Sequence, residues 1–373
     1  MLENMKKVLV VFGTRPEAIK MCPLVLELKK HKDIECLVCL TGQHREMLDQ
    51  VMDAFGVKAE YDLDIMKVRQ SLTTITTSVL EGMERVLEEE KPDIVLVHGD
   101  TTTSYAAALA AFYKQIPVGH VEAGLRTGNI YSPFPEEMNR LLTDRISNMY
   151  FAPTELNRRN LLSEGINENV YITGNTVIDA FAYTVREGYV YHDERINGID
   201  FTGRRVILVT AHRRENLGGP LENICGAIKA LAEAYDDVQV IYPVHLNPAV
   251  RDTVFGMLSG IPNVLLIDPV DVLDMHNMMS RCYMVMTDSG GLQEEAPHFG
   301  KPVLVLRTET ERPEAVEAGT VKVVGVDETV IVTEARKLLD DIAVYESMAH
   351  AVNPYGDGHA SERIANAIKE WRV

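Results

Sequence analysis

Positive charge is scarce in this sequence: 37 Lys and Arg stand against 55 Asp and Glu, for a formal net charge of -18. A protein that grips nucleic-acid phosphates carries a basic face, so nucleic acid is not expected as a partner, and a phosphate-bearing ligand would need a local group of cations. Long apolar runs are missing as well. Met1 to Lys7 is polar, and Val8 to Phe12 is far shorter than a signal-peptide core or a membrane span, so no membrane association is expected and the protein is placed in the cytoplasm. Cysteine is sparse, five residues with no regular framework, which suits buried thiols in a reducing compartment. Cys36 and Cys39 form a C-x-x-C, but in the apolar run Ile34 to Leu40 strand alternation sends them to opposite faces, where they pack and do not pair. Also absent are a G-x-G-x-x-G loop, a Walker loop, a G-x-S-x-G elbow and any metal-ligand spacing of His, Cys and Asp. No nicotinamide, ATP, metal or other cofactor is therefore expected.

What is present is enough chain for two cores. At 373 residues the sequence exceeds the length at which one hydrophobic core stops growing, and the space between two domains is a natural ligand cleft. Short β-branched runs alternate with helix-period stretches, the pattern of βα units around parallel sheets. A first series of strands is expected at Lys7 to Phe12, Glu35 to Leu40, Ile94 to Val97, Val118 to Val121 and Tyr150 to Ala152. Amphipathic stretches such as Ala18 to His31 and Leu72 to Glu89 lie between them. A second series follows the charged stretch Glu187 to Arg205: Val206 to Thr210, Val238 to Tyr242, Val264 to Ile267, Tyr283 to Thr287, Val303 to Leu306 and Val321 to Val324. The fold class is α/β, with two Rossmann-like doubly wound domains facing a cleft. Tyr171 to Asn175 either closes the first sheet or begins the crossover, so the boundary is set near 175, giving domains 1–175 and 176–353. Asn353-Pro354-Tyr355-Gly356-Asp357-Gly358 is a dense turn signal, and the helix after it, with Ile364, Ile368 and Trp371 on one face, is expected to return to the first domain, which gains 354–373.

Ligands of open α/β sheets sit beyond the carboxyl ends of the strands, so polar residues just after each run carry the chemistry. Gly13-Thr14-Arg15-Pro16-Glu17, with Lys20 one turn on, suits a phosphate, or is an ordinary βα turn. Thr287-Asp288-Ser289-Gly290-Gly291 is a second such turn; a carboxylate in the helix after it can accept from ribose hydroxyls, or only favour the helix dipole. Asp100, Glu122 and Glu136 follow strands or a proline-stiffened loop. Each alone reads as a cap or salt-bridge partner. Converging, they become proton-transfer candidates whose pKa values push one another upward. His212 and His245 also stand at strand ends, as acid or donor toward a leaving oxygen, or, for His245, as a structural hydrogen-bonding group.

In order along the chain, Gly13-Thr14-Arg15-Pro16-Glu17, His98-Gly99-Asp100-Thr101-Thr102-Thr103, His120-Val121-Glu122-Ala123-Gly124-Leu125-Arg126, Phe134-Pro135-Glu136-Glu137 with Asn139-Arg140, Thr210-Ala211-His212-Arg213-Arg214-Glu215-Asn216 and Asp288-Ser289-Gly290-Gly291 together resemble the bacterial non-hydrolysing UDP-N-acetylglucosamine 2-epimerases. The resemblance implies a glycosyltransferase-B-like fold with UDP held mainly by the second domain and the acid/base carboxylates by the first. It implies reversible inversion at C2, giving UDP-N-acetylmannosamine through anti elimination of UDP, a 2-acetamidoglucal intermediate and re-addition, as a supply of cell-surface polysaccharide precursor. Asp100, Glu122 and Glu136 become the acid/base carboxylates, and His212 the group at the departing phosphate. Arg15, Lys20, Arg140, His245, Ser289, Gly290, Gly291 and Arg312 hold phosphates and sugar, and Glu295 the ribose. A second UDP-N-acetylglucosamine as activator is implied at Gln43, Glu46, Arg69 and Arg213, with Glu46 where relatives often carry Gln. Met275 stands where the family usually has Phe near the uracil. A homodimer is implied too. Hydrolysis to free sugar, or glycosyl transfer on the same fold, are the competing readings.

Overall fold

Apolar, β-branched runs become strands buried along most of their length, as parallel sheets covered on both faces require. The computed structural model describes residues 5–42, 45–66 and 70–372 and divides into two units, Met1–Thr184 with Tyr355–Val373, and Val185–Pro354.

In the first unit the chain runs β1 (Lys6–Phe12), α1 (Arg15–Leu28), β2 (Ile34–Leu40), α2 (Arg45–Phe55) and β3 (Tyr61–Asp62). It continues with α3 (Leu72–Glu90), β4 (Ile94–His98), α4 (Thr102–Tyr113), β5 (Val118–Val121) and α5 (Glu136–Ile146). β6 (Met149–Ala152), α6 (Glu155–Ser163), β7 (Val170–Ile172) and α7 (Thr176–Thr184) complete that run. All pairings are parallel, in the order β3-β2-β1-β4-β5-β6-β7, so the winding reverses between β1 and β4. The turns that leave those two strands, at Gly13 and Gly99, therefore flank the point where such sheets open to a ligand.

In the second unit come α8 (Glu194–Asn197), β8 (Arg205–Thr210), α9 (Gly219–Ala234), β9 (Val238–Pro243), α10 (Pro248–Leu258) and β10 (Val264–Ile267). They are followed by α11 (Val272–Arg281), β11 (Met284–Thr287), α12 (Gly290–Glu295), β12 (Val303–Val305) and α13 (Pro313–Ala318). β13 (Val321–Val323), α14 (Glu328–Asp340) and α15 (Ile342–Ala349) end the unit. This sheet is also parallel, β10-β9-β8-β11-β12-β13, and reverses between β8 and β11. Its open point is flanked by Ala211-His212-Arg213 and Asp288-Ser289-Gly290.

One difference from the expected organisation has a local cause. The units divide at Thr184, nine residues past 175, because α7 buries Val177, Ile178 and Phe181 and packs on α1. Tyr171 to Asn175 contributes β7, which closes the sheet edge against β6. The final helix, α16 (Ala360–Glu370), packs on α1 with Ile364 and Ile368 fully buried. Asp179 of α7 accepts from the first two backbone N–H groups of α16, at 3.1 and 2.6 Å, and Lys6 donates to the carbonyls of Ile368 and Trp371 at 2.6 and 2.7 Å. An anion at the amino end and a cation at the carboxyl end satisfy groups a helix leaves open and suit its dipole. All five cysteines are free and buried, and burial raises their thiols, to about 12 for Cys36 and Cys39. Among the described residues no helix is long and apolar enough to cross a membrane.

Candidate active site

In the first unit the two switch-point turns are tied by one carboxylate. Thr14 caps α1 in a capping box, and Glu17 Oε2 accepts from the backbone N–H of Gly13 at 3.0 Å and of Thr14 at 2.7 Å. Glu17 Oε1 accepts from Thr101 Oγ1 at 2.7 Å, on the turn that leaves β4, and from Ser104 Oγ at 2.6 Å, in the first turn of α4. The capping pattern T-x-x-E is legible in the sequence, but its second pair of bonds is not. Gly13 is required by space: a Cβ there would fall 1.7 Å from Thr41 Oγ1.

Asp100 stands one residue past Gly99 and is gripped from α5. Arg140, 4% exposed, donates Nη2 to Asp100 Oδ2 at 2.7 Å, and Asn139 donates to the Asp100 carbonyl at 2.9 Å. Arg140 also pairs with Glu137 at 3.4 Å, whose carboxylate receives the backbone N–H groups of Thr127 and Gly128. Arg140 is thus engaged as a holder of Asp100. Glu136 opens α5, half-buried, one turn before Arg140, and its carboxylate makes no hydrogen bond or ion pair among the described residues.

Glu122 follows β5 with a left-handed backbone, φ +66°, that turns its side chain back toward the β4 end. A Cβ at Gly99 would lie 3.8 Å from Glu122 Oε1, so this carboxylate sits beside the Asp100 turn. Glu122 Oε2 forms a short ion pair with Lys20, accepts from Asn175 Nδ2 at 2.9 Å and lies 3.5 Å from His98 Nε2. Burial alone would raise this carboxyl, but the Lys20 ammonium and then His98 hold it well below the usual carboxylate range. The expected mutual upward push among the three carboxylates is overturned here, because Glu122 has its own cation. Lys20, expected at a phosphate, is engaged here as the counter-ion of this carboxylate. Arg15 begins α1, half-buried.

The second unit is organised by Asp288, fully buried after β11. Its Oδ2 accepts from the backbone N–H groups of His212 and Arg213, both at 2.8 Å, and from Asn216 Nδ2 at 3.0 Å, so the two turns are again joined by one carboxylate. The rings of His212 and His245 stack at 5.1 Å, 4° from parallel. Burial lowers His212, His245 and Arg213 lower it further and Asp288 opposes them, so the net direction is down and the neutral ring is favoured. His245 Nδ1 accepts from Asn247 N at 3.1 Å, which leaves its Nε2 as the N–H edge. Two guanidiniums converge on Gly290: a Cβ there would lie 3.8 Å from Arg312 Nη2 and 3.9 Å from Arg213 Nη2. Arg312 is anchored by Glu294, and Glu295 lies 3.5 Å from His276 Nε2 and beside Gly291. Ser289, Gly290 and Gly291 open α12, and Met275 is half-buried in α11. Two arginines beside a glycine-rich turn can hold a diphosphate.

Of the residues implied for an activator, Arg213 stands with Arg312. Gln43 and Arg69 lie outside the described residues, as does the side chain of Glu46. His192, Asp271 and Asp274 bring ligand atoms within 4.8 Å of one another, a grouping their spacing did not announce. Asp274 is engaged by Tyr189 at 2.7 Å and His192 at 3.2 Å, which anchors the segment before α8 to α11. Sequence reasoning passed over Glu17, Glu137, Asn175, His98 and Asp288 as site-building residues; only Glu17 had a local signal.

Comparisons with known proteins give the family. The family profile described as UDP-N-acetylglucosamine 2-epimerase matches residues 26–369. The UDP-N-acetylglucosamine 2-epimerase of Bacillus subtilis is 55% identical over 363 residues, 97% of this chain and 94% of that protein. The crystal structure of the UDP-GlcNAc 2-epimerase of Neisseria meningitidis, bound to UDP-GlcNAc, is 52% identical with a TM-score of 0.89, covering 98% of this chain and all of that one. The glycotransferase of kitacinnamycin, 14% identical at a TM-score of 0.66 over 97% of this chain and 98% of its own, shares the fold alone. The fold is thus of the glycosyltransferase-B kind.

Proposed function

Because the chain belongs to the UDP-N-acetylglucosamine 2-epimerase family, we propose that it inverts C2 of UDP-N-acetylglucosamine reversibly and without hydrolysis, giving UDP-N-acetylmannosamine. The observation that carries this is Glu122, an ionised carboxylate seated beside the Asp100 turn. Elimination needs a base for the C2 proton, and a carboxylate held in its charged form by Lys20 and His98 and oriented by Asn175 is placed to take one. The C1–O bond breaks with its electrons passing to the β-phosphate oxygen, which leaves 2-acetamidoglucal and UDP. Arg213 and Arg312 offset charge on that pyrophosphate, while a neutral His212 offers one N–H to the departing oxygen. Re-addition of UDP reverses the step at the inverted centre: a carboxyl that has taken up a proton from solvent delivers it to the other face of C2, and Asp100, kept in place by Arg140, and Glu136 are the groups proposed for that delivery. No electrons are gained or lost across the cycle, so the chemistry requires no redox partner.

Arg15, Lys20, Arg140, His245, Ser289, Gly290, Gly291 and Glu295 remain proposed as binding or positioning groups. A second UDP-N-acetylglucosamine as activator, at Gln43, Glu46, Arg69 and Arg213, belongs to the same reading. Its setting is a cytoplasmic homodimer that supplies a cell-surface polysaccharide precursor.

The test is product identity from both directions, by anion-exchange chromatography. UDP-N-acetylglucosamine is expected to give UDP-N-acetylmannosamine with no free sugar, and UDP-N-acetylmannosamine alone to turn over slowly until UDP-N-acetylglucosamine is added. Accumulation of UDP with free N-acetylmannosamine would replace this reading with hydrolysis. Full turnover of UDP-N-acetylmannosamine alone would remove the activator.

A further inference from the structure

His120 lies in β5, two residues before Glu122, with no exposed surface. Its Nδ1 is 2.6 Å from Asp144 Oδ1, and its Nε2 is 2.7 Å from the carbonyl oxygen of Gly99. A peptide carbonyl carries no proton. Asp144 carries none either: burial would raise its carboxyl, but His120 and Arg126 hold it below its ordinary range. Its second oxygen accepts from Arg126 Nη2 at 2.7 Å and from the backbone N–H of Gly124 at 3.3 Å. Two proton-free acceptors at opposite edges of one ring require two N–H donors, and only the imidazolium has both. A buried charge of this kind persists when it is compensated locally. Here Arg126 also pairs with Glu164 at 2.7 Å, so two cations and two carboxylates form one cluster.

What the cluster touches gives it a role. Gly99 has φ +61°, and its N–H donates to the Val121 carbonyl at 2.9 Å while its own carbonyl receives His120, so β5 holds both sides of the residue before Asp100. Asp144 sits on α5 one turn after Arg140, which grips the Asp100 side chain at 2.7 Å. From one helix, then, Arg140 fixes the Asp100 carboxylate and Asp144 fixes its backbone by way of His120. We propose that His120 is a positioning residue, doubly protonated, that locks the Gly99–Asp100 turn to α5 and so sets where the Asp100 carboxyl stands. This deepens the epimerase reading and rests on it.

His120→Gln retains a polar side chain but cannot donate from two opposite edges. Because a misplacement of about 1 Å at a reacting group costs about 10²-fold, kcat per folded molecule is expected to fall by about that factor with KM within about twofold of normal. Asp144→Asn is expected to act in the same direction, and the double variant to be little worse than the weaker single one, since both break one chain of contacts. A role confined to packing would lower the melting temperature without changing kcat per folded molecule. Independently of activity, ¹⁵N NMR of histidine-labelled wild-type protein at neutral pH, with His120 assigned by the signal missing from His120→Gln or shifted in Asp144→Asn, is expected to show both ring nitrogens protonated. One bare ring nitrogen, or a folded His120→Gln or Asp144→Asn with normal kcat, overturns the proposal. Should His120→Gln not fold, Asp144→Asn and the ring spectrum decide. A wild-type protein that does not epimerise would sink the reading beneath; an epimerising wild type with unaffected variants would sink only this inference.

Discussion

Replacing Glu122 with Gln is expected to lower kcat by about 10³-fold, the scale of a lost proton-transfer group, with the affinity for UDP unchanged. The amide fills the same space and can still accept from Asn175, so the β5 turn is preserved, but it neither takes the C2 proton nor pairs with Lys20. UDP affinity is the internal control, because Arg213, Arg312 and the Gly290 turn, proposed to hold the departing diphosphate, belong to the second unit. Steady-state rates with calorimetric titration of UDP separate the two quantities. A near-normal rate in Glu122→Gln would remove it from the mechanism, and Asp100→Asn is the parallel case for the acid.

Lys20→Met is expected to cut kcat/KM at neutral pH by about tenfold or more and to change the shape of its pH profile. The sign follows from the site. Burial pushes the Glu122 carboxyl up, and the Lys20 ammonium is the larger of the two groups pulling it down, so loss of the ammonium raises it. Because the ionised form is the working one, activity present above that pKa is lost as the pH falls through it, and the acidic limb of kcat/KM in the variant should sit at higher pH than in the wild type. A limb that stays in place while only KM rises would return Lys20 to the phosphate contact expected from the sequence.

Strand ends were legible because parallel strands announce themselves as short apolar runs, and the fold rule that ligands sit beyond their carboxyl ends turned Asp100, Glu122, His212 and the Gly290 turn into candidates before any coordinates. The two-residue edge strand β3 was not, since so short a run carries no period to read, and for β7 the sequence left open whether Tyr171 to Asn175 closes the sheet or begins the crossover. Nor were the partners. Lys20 and Glu122 are 102 residues apart and Asp100 and Arg140 are 40 apart, and which cation meets which carboxylate is decided by the helix packed beneath each strand end. Convergence of strand ends on one crevice suggested three carboxylates raising one another; tertiary packing gave Glu122 and Asp100 a counter-ion each. The unit boundary moved for a similar reason, as the apolar face of α7 is completed by α1.

The central claim, that C2 loses its proton on one face and receives another on the opposite face while the nucleotide detaches and reattaches, is tested most directly by incubating the protein with UDP-N-acetylglucosamine in D2O and reading the sugar signals by NMR. Deuterium is expected at C2 of both UDP-linked sugars, with the nucleotide still attached to each. Epimerised sugar that keeps its original C2 hydrogen would contradict the account.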